Sequence, residues 1–176
     1  MTSRVRLVTR IALLSALIYV LSWATSYFPS VNAAYFVAFS AGYLWGVGPG
    51  MAVGALGMWL WTGFNPLGPA PLPIALAQIV GMSACGCLGP PFRPLLRAAK
   101  RSATVWPWLV LAATLCTIVF YLPVTLTDAW VFQPFWPRMI ANLPFVAISL
   151  AANAVIFPLL FVATRRISER EGTLDG

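Results

Sequence analysis

Few residues in this chain could carry out catalytic chemistry. Its 176 residues include no His, and only four acids stand against eleven Lys and Arg. Glu169, Glu171 and Asp175 fall near the C-terminal end, which leaves Asp128 as the only other acid. Paired carboxylates, a phosphate-binding loop and a cluster of metal ligands are all missing from the sequence. The sequence therefore predicts a protein that is not an enzyme and that uses no cofactor and no metal. It also disfavours an ion-coupled carrier, because such carriers place acids within their spans.

Polar side chains near the ends of apolar segments point to ligand binding instead. Asp128 and Arg138 are isolated from the other charges, and Asn142 follows Arg138 by one helical turn. A small-molecule site needs a few polar anchors among apolar and aromatic walls. The predicted anchors are Asn65, Gln78, Asp128, Arg138 and Asn142, and the predicted walls are Trp61, Phe64 and Trp130. One acid and one base predict a neutral or weakly charged, partly apolar organic ligand.

Each of these residues also has a structural interpretation. Asp128 and Arg138 could form an interfacial ion pair, or Arg138 could extend to lipid headgroups, with Trp130 in the aromatic belt of a membrane protein. Asn142 shares one helical face with Ser149 and Asn153, and this face would turn inward and hydrogen-bond to other helices. The sequence leaves both interpretations open.

The elements that position these residues are apolar throughout. Between Arg10 and Arg93 lie 82 consecutive residues without a charge, and 60% of the chain is hydrophobic. Soluble domains scatter charged residues over their surface, at roughly a quarter of the sequence. The segments are apolar all round, whereas the strands of a membrane β-barrel alternate apolar and polar residues. The sequence therefore predicts an all-α integral membrane protein.

Pro and Gly divide the apolar sequence into six predicted spans, because both residues end helices and fix turns. The first span continues through aromatic residues and is predicted to be a span and not a signal peptide. Gly48-Pro49-Gly50 is predicted to join two short spans, and Gly89-Pro90-Pro91 to end the fourth. The spans are predicted at about residues 5–28, 35–47, 51–64, 72–88, 105–122 and 138–164, in a single compact domain of residues 1–176 with a polar tail at 165–176.

Ten of the eleven basic residues fall in three clusters, at 4–10, 93–101 and 165–170. Since Lys and Arg mark the cytoplasmic side of a membrane protein, both termini and the loop between spans four and five are predicted to be cytoplasmic. This arrangement needs an even number of spans between successive clusters. Four spans are predicted between the first and second clusters and two between the second and third, so the condition is met. The predicted location is the cell (inner) membrane. The clusters are predicted to contact anionic lipid and not nucleic acid.

Together these features resemble the substrate-binding S components of energy-coupling factor (ECF) vitamin transporters. The resemblance rests on the six-span topology, on Ala12 and Ala16 in the first span, and on Gly48-Pro49-Gly50. It also rests on the outer loop Phe64-Asn65-Pro66-Leu67-Gly68, which precedes a span that contains Gln78. Small residues four apart let another helix approach closely, and Ser15 extends the small surface.

The resemblance implies a membrane subunit that captures a vitamin or related nutrient from outside. It further implies docking through Ala12, Ser15 and Ala16 on a transmembrane coupling subunit that is driven by two ATPase subunits, in a hetero-oligomer. Two other classes stay open. One is a membrane scaffold resembling the MreD cell-shape family, without a transported ligand. The other is a lipid-modifying enzyme, which the missing His and acids disfavour.

Overall fold

The computed structural model describes residues 3–28, 30–99 and 102–172. Within these ranges the chain forms six α-helices and no strand, which confirms the all-α class. Pro29, Lys100, Arg101 and residues 173–176 of the predicted tail lie outside the described residues. The helices are α1 (Ser3–Ala24), α2 (Ala34–Trp45), α3 (Val47–Phe64), α4 (Leu72–Ala98), α5 (Ser102–Val131) and α6 (Phe135–Gly172).

Four of these helices, α1, α4, α5 and α6, are long and apolar enough to cross a membrane. Their outward faces carry large apolar side chains, such as Leu13, Val80 and Ile140, each more than 60% exposed. A water-soluble surface would not present apolar side chains on several helices at once. The protein is therefore membrane-embedded.

The short helix α2 forms the centre of the bundle. Its residues from Ala34 to Tyr43 are buried, and it packs against all five other helices. The Phe39 ring contacts Tyr43 on its own helix, Phe92 on α4 and Phe157 on α6, with centroid separations of 5.4–6.5 Å. A helix that is apolar all round is stable when other helices cover it completely, which is the case here.

The predicted turn at Gly48-Pro49-Gly50 is wrong, because these residues form the first turn of α3. The chain reverses two residues earlier, at Gly46, where φ is 99° and a side chain would be strained. Pro49 fits the first helical turn, since the N–H that proline lacks has no helical partner there.

The predicted end of the fourth span at Gly89-Pro90-Pro91 is also wrong. Helix α4 continues through Pro90, Pro91 and Pro94 to Ala98. A proline inside a helix removes a backbone hydrogen bond and destabilises the helix by about 3 kcal/mol or more. Here close packing offsets that cost, because a Cβ on Gly86 would overlap the backbone of Gly50 and a Cβ on Gly89 that of α2. Tertiary contacts keep this segment helical where local propensity would end it.

Three further boundaries differ from the prediction. Helix α1 ends at Ala24 and not at Phe28. Helix α5 continues through Pro123 to Val131, so most of the segment between the predicted fifth and sixth spans is helical. Helix α6 runs from Phe135 to Gly172, so the described part of the predicted tail continues the helix. Its 38 residues span about 57 Å, well beyond a hydrocarbon layer of about 30 Å.

The basic clusters meet at one end of the bundle, around the last turns of α2. The Arg10 guanidinium lies over the Trp45 ring, 5.4 Å from its centroid. Arg93 of α4 donates to the carbonyl of Tyr43, and Arg165 of α6 lines a cavity together with Tyr43. We call this end, at the C-terminus of α2, the basic end. Residues that are far apart in the sequence thus place their charge on one side of the molecule.

Candidate functional site

A cavity of about 180 Å³ lies at the opposite end of the bundle, near Tyr35 at the start of α2. We call it the polar cavity. It is formed by the end of α1, the segment that follows it, and residues from α2, α3, α4 and α5. All of its lining residues are uncharged: Ser22, Thr25, Ser26, Phe28, Ser30, Val31, Asn32, Tyr35, Met58, Trp61, Gln78 and Phe120.

Two residues that line the polar cavity each carry a buried polar atom without a partner among the described residues. Gln78 Oε1 and Ser26 Oγ are both buried, and neither makes a hydrogen bond. A buried polar atom without a partner costs about 1–3 kcal/mol, so such atoms are rare and call for an explanation. A molecule in the cavity that donates to Gln78 Oε1 and bonds Ser26 Oγ would remove this cost.

The segment between α1 and α2 covers one side of the polar cavity and is held by side chains. Asn32 Nδ2 donates to Ser22 Oγ at 2.8 Å, and the Ala34 N–H donates to Asn32 Oδ1 at 2.9 Å. The Tyr121 hydroxyl of α5 donates to Ser30 Oγ at 3.0 Å. Asn32 therefore joins the end of α1 to the start of α2, and Ser30 joins the segment to α5.

Polar side chains extend from the polar cavity into the bundle. The Tyr35 hydroxyl lies near the side chains of Tyr121 and Ser149. Asn153 Nδ2 donates to Ser149 Oγ at 3.3 Å and to Thr117 Oγ1 of α5 at 3.0 Å. Ser149 and Asn153 are completely buried, as the inward-facing interpretation of this helix face predicted. These bonds join α5 and α6 inside the bundle.

The aromatic walls of the polar cavity include one of the three that the sequence predicts. Trp61 lines the cavity, and the Tyr35 and Phe120 rings, which also line it, pack edge to face at 5.0 Å. Phe64 is 64% exposed and lies outside the lining, although its carbonyl accepts a hydrogen bond from the Tyr19 hydroxyl. Trp130 is 76% exposed and lies at the far end of α5.

Three of the predicted anchors form a separate cluster between α5 and α6. Arg138 Nη1 lies 3.2 Å from Asp128 Oδ1, and Asn142 Nδ2 donates to Asp128 Oδ2 at 3.2 Å. The Arg138 guanidinium also donates to the Phe132 carbonyl and lies 5.2 Å from that ring's centroid. These groups satisfy one another and do not line the polar cavity. Their geometry matches the interfacial ion-pair interpretation.

Of the remaining two anchors, only Gln78 lies in the polar cavity. Asn65 follows the last residue of α3, where its Oδ1 accepts from the Leu67 N–H at 2.9 Å. Its backbone carbonyl accepts from the Gly68 N–H. Asn65 thus shapes the loop between α3 and α4, as asparagine does in turns.

The small residues of α1 do not share one face. Ala12 and Ala16 are exposed on the outside of the bundle, while Ser15 is buried and its hydroxyl donates to the Val53 carbonyl of α3 at 3.4 Å. A partner helix can reach Ala12 and Ala16, but Ser15 belongs to the internal packing of α1 on α3.

Sequence reasoning missed several lining residues of the polar cavity. Ser22 lies in the last turn of α1, Thr25 and Ser26 lie in the turn that follows it, and Tyr35 is the second residue of α2. The spacing of Ser22, Thr25 and Ser26 is the available signal, because residues three and four apart would share one face of the predicted span 5–28. The position of Tyr35 beside α4 and α5 depends on tertiary packing and has no sequence signal.

Among the described residues, no three His, Cys, Asp or Glu side chains are grouped so that they could hold a metal ion. Comparison of the chain with protein-family models, curated proteins and solved structures gives no match.

Proposed function

We propose that this chain is the substrate-binding S component of an ECF-type importer. In this role it captures a small organic nutrient, a vitamin or a precursor, from outside the cell (inner) membrane. It then docks on a transmembrane coupling subunit driven by two ATPase subunits. The observation that carries the proposal is the polar cavity, where Gln78 Oε1 and Ser26 Oγ are buried without partners beside aromatic walls.

The proposal includes an orientation. All six helices lie across the membrane, both termini are cytoplasmic, and the basic end faces the cytoplasm, where Lys and Arg are enriched in membrane proteins. The polar cavity lies at the other end of α2 and would then face outward. Tyr35, at the start of α2, lines the polar cavity, and Tyr43, in its last turns, lies at the basic end.

The chemistry of the polar cavity supports a neutral, partly apolar ligand. Its lining offers hydroxyl and amide groups but no charge, so a polyanion such as a nucleotide would find no counter-charge there. The ligand would donate a hydrogen bond to Gln78 Oε1 and stack against Trp61 or Phe120. The volume of about 180 Å³ is comparable to an engineered cavity of about 150 Å³ that admits benzene. One ring with small polar substituents would fit.

Binding and docking are separated in this scheme, and neither uses a catalytic residue or a cofactor of this chain. Ala12 and Ala16 on the outside of α1 would contact the coupling subunit, because small residues allow close helix approach. The ATPase partners would supply the energy. Loss of docking should then leave ligand affinity intact.

Mass spectrometry of the purified protein tests the proposal. The chain would be purified in mild detergent from cells grown in rich medium, denatured, and its small-molecule fraction identified. We expect one neutral organic compound in near-stoichiometric amount, retained by the wild type and depleted in Gln78→Ala. A protein that carries no small molecule and copurifies with wall-synthesis proteins would contradict the proposal and favour the MreD-like scaffold.

A further inference from the structure

A second cavity, of about 420 Å³, lies at the basic end between the last turns of α4 and α6. We call it the arginine cavity. Arg97 of α4 and Arg165 of α6 line it together with Ser168, and Tyr43 of α2 and Phe161 of α6 contribute aromatic rings. Nothing in the proposed import function uses this cavity.

The arginine cavity carries positive charge that the described residues only partly neutralise. Arg165 Nε pairs with Glu169 at 3.0 Å, whereas the Arg97 guanidinium makes no hydrogen bond or ion pair with a described residue. Two guanidinium groups against one carboxylate leave a net charge of +1. Each guanidinium has five N–H donors, so Arg165 retains donors beyond the one that Glu169 engages. An anionic group would complete this site.

An apolar cavity of about 180 Å³ adjoins the arginine cavity. The two share Phe161 and Arg165, and the apolar one is lined further by Trp106, Leu109 and Pro158 on α5 and α6. The shared residues make one site with a cationic part and an apolar part. A free inorganic anion would use only the cationic part.

We propose that the two cavities together bind one anionic phospholipid. Arg97, Arg165 and Ser168 would contact the phosphate and headgroup, and an acyl chain would lie against Trp106, Leu109 and Pro158. Arginine suits this role because its planar guanidinium bonds two phosphate oxygens at once. Basic pockets between membrane helices are known to take acidic lipid headgroups.

Lipid retention in nanodiscs tests this proposal. The full chain would be placed in phosphatidylcholine nanodiscs with increasing fractions of phosphatidylglycerol, and retained lipid counted by native mass spectrometry. We expect one tightly retained phosphatidylglycerol, and a loss of affinity of about fivefold each in Arg97→Gln and Arg165→Gln. Arg166→Gln is the matched control, because it removes the same charge at the next residue without touching the cavity. An equal loss in Arg166→Gln would mean diffuse surface attraction and would overturn the proposal.

Further variants and ligands keep the result interpretable. Arg97→Lys should recover part of the affinity, and thermal unfolding in pure phosphatidylcholine shows whether a variant is folded. Glu169→Gln should bind phosphatidylglycerol more tightly, because it removes the competing carboxylate. A second experiment measures the thermal stability of the protein with inorganic phosphate or glycerophosphoglycerol in place of the intact lipid. If either stabilises the protein as much as the intact lipid does, the site binds a free anion and the lipid proposal fails.

Discussion

Arg93 Nε of α4 donates a hydrogen bond to the backbone carbonyl of Tyr43 in α2 at 2.6 Å. The same guanidinium reaches the Gly42 carbonyl at 3.4 Å. The last carbonyls of a helix lack partners within the helix and carry partial negative charge. Arg93 therefore holds the C-terminus of the central helix from a neighbouring helix, next to the reversal at Gly46.

Arg93→Ala should destabilise the protein by about 1.5–3 kcal/mol, because hydrogen bonds to a charged group contribute about that much. The measurement is the denaturation midpoint in phosphatidylcholine nanodiscs. Arg166→Ala is the control, since Arg166 is exposed and should leave the midpoint nearly unchanged. Equal midpoints for both variants would show that Arg93 does not stabilise α2.

Gly86→Ala should be strongly destabilising. A Cβ there would overlap the Gly50 backbone, where α3 and α4 touch, and overpacking of a core costs about 1–3 kcal/mol or more. The matched control is Gly63→Ala in α3, where a Cβ would meet nothing within 4 Å. There alanine should stabilise the helix by about 0.5–1 kcal/mol. The yield of folded protein and its thermal midpoint separate the two variants, and similar midpoints would contradict the close helix packing.

Gln78→Ala and Ser26→Ala should each weaken binding of the copurified molecule. Losing one buried hydrogen-bond partner costs about 1–3 kcal/mol, or roughly five- to 150-fold in affinity. Asn142→Ala is the control, because Asn142 bonds Asp128 away from the polar cavity. Isothermal titration with the identified compound gives the three affinities. If Gln78→Ala and Ser26→Ala keep wild-type affinity, the ligand does not bind in the polar cavity.

Ala12→Trp and Ala16→Trp should block transport and leave ligand affinity unchanged. A large side chain would hold a partner helix away from the exposed face of α1. Leu17→Trp provides the control, since Leu17 is also exposed but lies about 100° or more around the helix from both alanines. Uptake of labelled ligand in cells and titration of the purified protein measure the two effects. Equal loss of affinity in all variants would argue against a docking face.

A cysteine at position 98 should be protected from an impermeant thiol reagent outside intact cells. The basic end would face the cytoplasm, and residue 98 ends α4 at that end. The test uses Ala98→Cys in a background without Cys85, Cys87 and Cys116. A cysteine at position 67, in the exposed loop after α3, should react from outside. The reverse pattern would invert the proposed orientation.

Much of the fold follows from composition, because the uncharged stretch between Arg10 and Arg93 excludes a water-facing surface. The same reasoning misplaced the ends of α4 and α5. Pro90, Pro91 and Pro123 break helices in isolated chains, yet here they lie within helices. Local rules could not predict this, because the compensating contacts come from residues far away in the sequence.

The candidate site, like the fold, was predicted only in part from the sequence. Sequence patterns identified Gln78 and Trp61 from their types and their depth in a predicted span, and both line the polar cavity. Asp128 and Arg138 looked equally suited as anchors, but they bond each other. A side chain's chemistry is fixed by its type, whereas its availability depends on which neighbours already satisfy it.

The sequence by itself determined that the chain is helical and apolar, that its charge is grouped, and that catalytic residues are scarce. These properties depend on residue type and order alone. Only the tertiary structure decided that the basic clusters meet at one end, that Ser15 turns inward, and that Ser26 and Gln78 share a cavity. The physical reason is that packing selects one partner for each side chain among many that the sequence allows, and burial then decides whether an unpaired polar atom remains for a ligand.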